Sequence, residues 1–234
     1  MDAKKVNEDL IRFWESALTM PEEAKAEEAK GEIPDYRELA PAPKLYEAVA
    51  GLVTCQKVLD YGCGSAWASI IALKSGCPDV TGADMGQGII DAANFYAELF
   101  GVKESFHGLT IAPDWLKSVP SSTYDGLICS NVLDVVPLET CKEIIQECAR
   151  VLQKDAKAVI GLNFYMSPEA AKARGIELVE GRYLFMNDVL RLSSLKDEEW
   201  KELLIPYFEI EKLDYFAWPN EQKESRRLFL LRRK

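Results

Sequence analysis

The segment Val58-Leu59-Asp60-Tyr61-Gly62-Cys63-Gly64-Ser65-Ala66-Trp67 decides the architecture. A short apolar run ends in an acid, turns through Gly-x-Gly, and enters an apolar stretch over 66–74 that Gly76 closes as a helix stop. Glycines in such a turn let the backbone approach a ligand with no Cβ in the way. Working outward, a short helix over 42–53 precedes the strand 57–61. A second strand ends in Gly82-Ala83-Asp84, a helix over 87–100 stops at Gly101, and a short strand over 104–108 leads into a loop with two prolines. Residues 126–130 read as a buried strand, and 158–162 as another. Between them Leu138, Cys141, Ile144, Ile145, Cys148 and Val151 recur at helical spacing. Strands alternating with helices predict parallel crossover units, a doubly wound α/β sandwich.

The C-terminus breaks the alternation. A helix is expected over 194–207, with Ser194 and Asp197 spaced as a capping box. Residues 208–218 and 227–233 then read as two strands with no helix between them, an antiparallel hairpin at the sheet edge. Residues 1–41 are polar and helix-prone, broken by Pro21, Gly31, Pro34 and Pro41. The piece 22–30 is Glu, Ala and Lys all round, a solvated helix or a mobile segment.

Composition bounds the function. The chain has 234 residues, 48% hydrophobic and 28% charged, which is one large domain or one domain with a cap. Its net charge of −10, with no basic stripe, argues against a nucleic-acid partner. No apolar run is long enough to span a membrane, and the charged first ten residues hold no signal peptide, so a cytoplasmic protein is expected. Six cysteines form no CxxC pair and read as reduced structural thiols. With His107 as the lone histidine and no GxSxG elbow, neither a metal site nor common hydrolase machinery is expected.

Asp84 stands 24 residues after Asp60, where a carboxylate can accept hydrogen bonds from both hydroxyls of a ribose. Two cofactors fit, a nicotinamide dinucleotide or S-adenosylmethionine. The dinucleotide fingerprint wants a small residue where this chain has Trp67, and Asp60 would sit badly beside a pyrophosphate. No Tyr is followed four positions later by Lys, so the usual short-chain dehydrogenase pair is missing. An acid there suits a ligand bearing an ammonium and a sulfonium.

Val58-Leu59-Asp60-Tyr61-Gly62-Cys63-Gly64 resembles the first motif of class I S-adenosylmethionine-dependent methyltransferases. Val80–Met85 is similar to their second-strand motif, and 124–133 to their fourth-strand motif. The resemblance covers about 42–234 and implies a Rossmann-like, seven-stranded sheet, mostly parallel, with an antiparallel C-terminal hairpin strand. Residues 1–41 would be a helical lid and 166–195 a small substrate-cap insertion. It also implies roles. Tyr61, Gly62, Cys63 and Gly64 would line the methionyl part, and Asp60 would orient the turn and meet the amino group directly or through water. Asp84 would hold the ribose, Met85 would pack on adenine, Leu109 and Thr110 would flank it, and Ser130 and Asn131 would face the methionyl moiety. The product would be S-adenosylhomocysteine. Leu109 stands where many relatives carry an acid for the adenine amino group. Asp134-Val135 stands where many small-molecule enzymes carry a histidine, so that base is unavailable.

A small-molecule acceptor is expected, with the protein a monomer or homodimer. Candidates on the acceptor side are few, and no catalytic residue is assigned. Asp134 would accept a proton, bind a substrate cation, or only charge a helix N-terminus. Tyr165 would face the acceptor or lie in the core. Trp14 and Tyr36 would enclose the sulfonium or an apolar substrate, or only anchor the N-terminal segment. Arg182 and Arg191 would meet a carboxylate or be solvated, and the arginines at 226, 227, 232 and 233 read as solvated strand ends. Two other functions stay open: an NAD(P)-dependent oxidoreductase, and a non-catalytic S-adenosylmethionine sensor. A pocket continuous with the methyl group would separate enzyme from sensor.

Overall fold

The computed structural model describes residues 2–234. Helices α1 (Ala3–Leu18), α2 (Glu22–Glu28) and α3 (Pro43–Ala50) precede strand β1 (Val58–Tyr61). There follow α4 (Trp67–Ser75), β2 (Val80–Asp84), α5 (Gln87–Leu99), β3 (Phe106–Thr110), α6 (Trp115–Ser118), β4 (Tyr124–Ser130), α7 (Leu138–Val151) and β5 (Leu152–Leu162). Residues 166–195 hold α8 (Pro168–Ala173), β6 (Tyr183–Met186) and β7 (Val189–Ser193), and there follow α9 (Asp197–Leu204), β8 (Phe208–Phe216) and β9 (Arg226–Arg233).

The main sheet has seven strands in the order β3-β2-β1-β4-β5-β9-β8. β1, β2, β3, β4 and β5 are parallel, and β9 is antiparallel to both β5 and β8. The expected mostly parallel sheet with its C-terminal hairpin is therefore present. The order reverses between β1 and β4, and the crevice above such a switch point is where open α/β sheets bind ligands.

Two apolar layers flank the sheet. One, with Leu59, Leu127, Ile160, Phe229 and Trp200, lies under α7 and α9. The other, with Val58, Ile70, Ile71, Ile128 and Phe216, lies under α3, α4 and α5. Strands buried on both faces explain the near-continuous apolar runs in β1 and β4. α4 is buried nearly all round, so its sequence shows little amphipathic contrast. All six cysteines are free and buried.

The N-terminal segment splits in two. α1 runs over the C-terminal ends of the strands, and α2 buries nothing. Gly86 and Gly88 open α5 to this approach: a Cβ on Gly88 would stand 2.1 Å from Thr19 Oγ1, and one on Gly86 would stand 3.3 Å from Glu15 Cβ. The other flank of α1 packs Val6, Leu10 and Trp14 against Tyr183, Phe185 and Leu190 of the β6–β7 hairpin. Helix and hairpin thus form one continuous cover.

Two local expectations are corrected. α9 begins at Asp197, and its cap is the Glu199 carboxylate, which accepts from the Lys196 N–H at 2.8 Å. Ser194 is not a helix cap: its hydroxyl accepts from Met166 N–H and donates to Met166 C=O, both at 2.8 Å, joining the two ends of the segment 166–195. Arg226 and Arg227 are not solvated strand ends. They are 6% and 3% exposed, because the loops beyond β5 and β8 close over them. Arg227 donates to Asp197, to Asn163 C=O and to Leu195 C=O.

Phe229, fully buried on the inserted strand β9, carries the contact between that strand and the α7–α9 layer. Phe229→Ala is expected to cost about 3–5 kcal/mol of unfolding free energy. A urea titration followed by circular dichroism measures it.

Candidate active site

β1 delivers Tyr61 to the switch point and the chain then turns through Gly62 (φ +73°) and Gly64 (φ +52°). Ala66 follows at φ +63° and opens α4. Gly62 admits no side chain, since a Cβ there would stand 2.2 Å from Val132 Cγ2. The turn is held to β2 by its own backbone. Gly62 and Cys63 N–H groups donate to Ala83 C=O at 2.8 and 3.2 Å, and Gly64 N–H donates to Asp84 Oδ2 at 3.1 Å. Asp84 Oδ1 accepts from Met85 N–H at 2.7 Å. Each carboxylate oxygen has a second lone pair, so Asp84 keeps two acceptor positions for a pair of hydroxyls. Burial raises its pKa, against the pull of these N–H donors.

Asp60 lies beneath the turn, 2% exposed. Its Oδ2 accepts from Ser69 Oγ at 2.6 Å. Burial pushes its pKa up to about 7, opposed by the Ser69 bonds. At β4 the chain passes Ser130 and then Asn131 at φ +58°. Ser130 Oγ donates to Asn131 Oδ1 at 3.3 Å, which leaves the buried Asn131 Nδ2 without a partner. An unpaired buried donor is costly unless a ligand completes it.

These groups line one cavity of about 430 Å³, within the range of small-molecule and cofactor sites. Tyr61, Gly62, Cys63, Gly64, Asp84, Met85, Ser130 and Asn131 all line it, as sequence reasoning placed them together. Trp14 lines it from α1, with its ring 5.1 Å from Phe13 and the Arg191 guanidinium 5.1 Å from its centroid.

Six expected positions fall elsewhere. Leu109 and Thr110 do not line the cavity. β3 continues through them, leaving Leu109 exposed and Thr110 Oγ1 donating to Gln87, and the chain enters the cavity only at Ile111, Pro113 and Asp114. Tyr36 is capped into a short turn by Asp35 and packs its ring 6.4 Å from Tyr46, against the α3–α4 layer. Asp134 is 1% exposed and points to β5, where it accepts from Asn163 N–H, while its own carbonyl accepts from Ser193 N–H at 2.7 Å. It braces β4, β5 and the segment 166–195, and α7 starts only at Leu138, so it is no helix charge either. Tyr165 stays outside because its neighbour Met166 takes the buried position. Asp60 supports the turn without lining the cavity.

Sequence reasoning missed the far walls. Asp114, Lys117, Glu143 and Glu147 line the cavity from α7 and the segment after β3, and Trp218 lines it from the β8–β9 connection. Trp67 also lines it. A signal existed: helical spacing puts Thr140, Glu143 and Glu147 on one face of α7, away from its apolar face. His107 lies at the surface, 3.6 Å from Asp79. Among the described residues there is no cluster that could hold a metal, and no helix long and apolar enough to cross a membrane.

Residues 58–155 match the family model of a methyltransferase domain, and the fold is one that solved S-adenosylmethionine-dependent methyltransferases share. Among curated relatives, the ribosomal protein L11 methyltransferase of Cupriavidus metallidurans is 40% identical over 78 residues, 33% of this chain and 23% of that protein. The ubiquinone biosynthesis O-methyltransferase of Psychrobacter arcticus is 29% identical over 105 residues, 45% and 40% of the two chains. The alignments thus span well under half of either relative. Among solved structures, the 1,6-didemethyltoxoflavin-N1-methyltransferase of Burkholderia thailandensis superposes over 100% of this chain and 91% of its own, with TM-score 0.70 and 13% identity. The magnesium protoporphyrin IX methyltransferase of Synechocystis covers 95% and 99%, with TM-score 0.65 and 18% identity.

The raised pKa of Asp60 has a measurable consequence for the free protein. Its folded value near 7 exceeds the ordinary 3.8, so the native state binds the extra proton between these limits. That stabilisation is complete below about pH 4 and is lost as pH rises to about 7. Asp60→Asn should flatten this slope, on the order of 1–4 kcal/mol between pH 4.5 and 7.5 in urea titrations. An unchanged slope would show that Asp60 does not carry it.

Proposed function

We propose that this chain is an S-adenosylmethionine-dependent methyltransferase acting on a small molecule. The observation that carries the reading is the single cavity that joins Asp84 and Met85, through Ser130 and Asn131, to Trp14 and Trp218. One end suits the adenosine and methionyl parts of the cofactor, and the other leaves room for an acceptor next to the methyl group. That continuity favours an enzyme over a closed sensor. The oxidoreductase reading fits less well, since the bulky Trp67 fills a cavity wall where a pyrophosphate wants close backbone approach.

The residues present fit the cofactor. Asp84 would hold the ribose hydroxyls with its remaining lone pairs, and Met85 and Ile111 would bracket the adenine. Asp114, which lines the cavity after β3, would serve as the acid for the adenine amino group. Asn131 Nδ2 would gain an acceptor from the methionyl carboxylate, and Asp60 beneath the turn would offset the positive charge of the methionyl end. When bound, the cofactor supplies a methyl group already activated by its sulfonium charge.

The chain's remaining task is to align acceptor and methyl and to keep water out. Orientation of this kind supplies on the order of 7–11 kcal/mol of barrier lowering. The cover does both. Asn7 Nδ2 donates to Thr140 Oγ1 at 3.0 Å, closing α1 onto α7, and Leu10, Ile11 and Leu18 line the roof. In this reading α1 is a lid and 166–195 its cap. A cavity roofed in this way suits a small acceptor better than a folded protein.

Titration calorimetry with S-adenosylmethionine and S-adenosylhomocysteine tests the cofactor. Micromolar binding of both, lost by at least tenfold in Asp84→Ala, is expected, while binding of NADH alone would overturn the reading. Affinity should also rise about tenfold from pH 6 to pH 8, because a cationic ligand favours the ionised form of a carboxyl that titrates near 7 in the free protein. Asp60→Asn should abolish that rise, and a pH-independent affinity in the unaltered protein would remove Asp60 from the binding argument.

A further inference from the structure

The acceptor end of the cavity has a chemistry of its own. Three of the five tryptophans in the chain, Trp14, Trp67 and Trp218, line this one cavity. Trp218 reaches it from the β8–β9 connection. By strand order that is the opposite side of the glycine turn from β2 and β3, which carry the groups suited to adenosine. Trp218 is 40% exposed, which leaves apolar surface free to meet a ligand.

The ring is also held in place. The Arg226 guanidinium lies 3.6 Å from its centroid, covering one face. Arg226 is itself pinned by Glu221, with Nε and Nη2 donating to Oε1 at 3.0 and 2.6 Å, and by Asn163 Oδ1. The same Glu221 carboxylate accepts from Trp218 N–H at 3.0 Å. One acid therefore fixes both the ring's backbone and the cation behind it. Trp14 has a similar arrangement, with Arg191 over the ring and Phe13 edge-on. A guanidinium on one face of an indole draws electron density from it, which favours an electron-rich, uncharged ring on the other.

Charge narrows the class further. Among the described residues no arginine or histidine lines the cavity, and the one cationic side chain that does, Lys117, comes from the segment after β3, on the adenosine side. Of the four carboxylates that line it, Asp84 and Asp114 fall to the cofactor in the proposed reading, which leaves Glu143 and Glu147 of α7. An anionic acceptor would be desolvated with no partner and repelled by these walls.

We propose that the methyl acceptor is a planar, electron-rich aromatic molecule without an anionic group, stacked on the wall formed by Trp218 and Trp14. This rests on the methyltransferase reading. Trp218 is the specificity-determining residue, and Arg226 is the positioning residue that presets its ring.

The test uses full-length protein saturated with S-adenosylhomocysteine and three probes of one size: 2-naphthol, its saturated counterpart decahydro-2-naphthol, and 2-naphthoate. Calorimetry at pH 7 measures each Kd. Naphthol is expected to bind at least tenfold tighter than the other two. Trp218→Ala should lower its affinity about tenfold, and Trp218→Phe should restore most of it. Product binding by each variant shows that it is folded. Equal binding of the saturated or anionic probe, no naphthol binding, or indifference to Trp218→Ala in a product-binding variant would each overturn the inference alone. Failure of the unaltered protein to bind S-adenosylhomocysteine would overturn the methyltransferase reading and this inference with it.

Discussion

The backbone tie between the glycine turn and the end of β2 is the constraint on which the site depends. Ala83 C=O accepts from two successive N–H groups, Gly62 and Cys63, and Asp84 accepts from Gly64 and Met85. A polypeptide makes this crossing only if residue 62 takes positive φ and carries no side chain, because Val132 on the neighbouring β4 loop occupies the space of its Cβ. One turn therefore locks three strands together at the switch point. It also fixes the Asp84 carboxylate, which lines the cavity, through the Gly64 and Met85 N–H groups. The strand order and the cavity follow from the same crossing.

This tie explains why the sheet and the cofactor end were legible in the sequence. Each signal there is local. The turn is a contiguous run, Asp84 closes its own strand, and Ser130-Asn131 closes another. Parallel strands buried on both faces announce themselves as apolar runs, and glycines at 76 and 101 mark where helices stop. The residues that hold a nucleotide in such a sheet sit at strand ends, so finding the strands nearly finds the residues. The failures at this end were failures of one or two positions. β3 runs to Thr110, and the chain therefore enters the cavity at Ile111 and Asp114.

The acceptor end was not legible in the same way, because its residues meet only in three dimensions. Trp14, Trp67 and Trp218 come from α1, from the first turn of α4 and from a connection near the C-terminus. Nothing in local spacing says that they share a cavity. The acids and aromatics that looked functional by position were claimed by structure instead. Asp134 was spent on the Asn163 N–H and Tyr36 on Tyr46. The arginines at 226 and 227 illustrate the converse. A basic pair at a strand start usually marks solvated ends, yet both are buried, since neighbouring loops supply a carboxylate or backbone carbonyls for their donors.

The cover makes the division between the two ends physically sensible. The cofactor side is built on the rigid sheet, where small displacements are costly. The opposite side is roofed by α1, which meets the β6–β7 hairpin through a small apolar cluster and α7 through the Asn7–Thr140 bond. Such contacts open at low cost compared with the core. The β8–β9 connection is held differently, since the Arg226–Glu221–Trp218 group is braced by Asn163 just after β5. The cavity thus has one aromatic wall, Trp218, tied to the scaffold and another, Trp14, carried on α1.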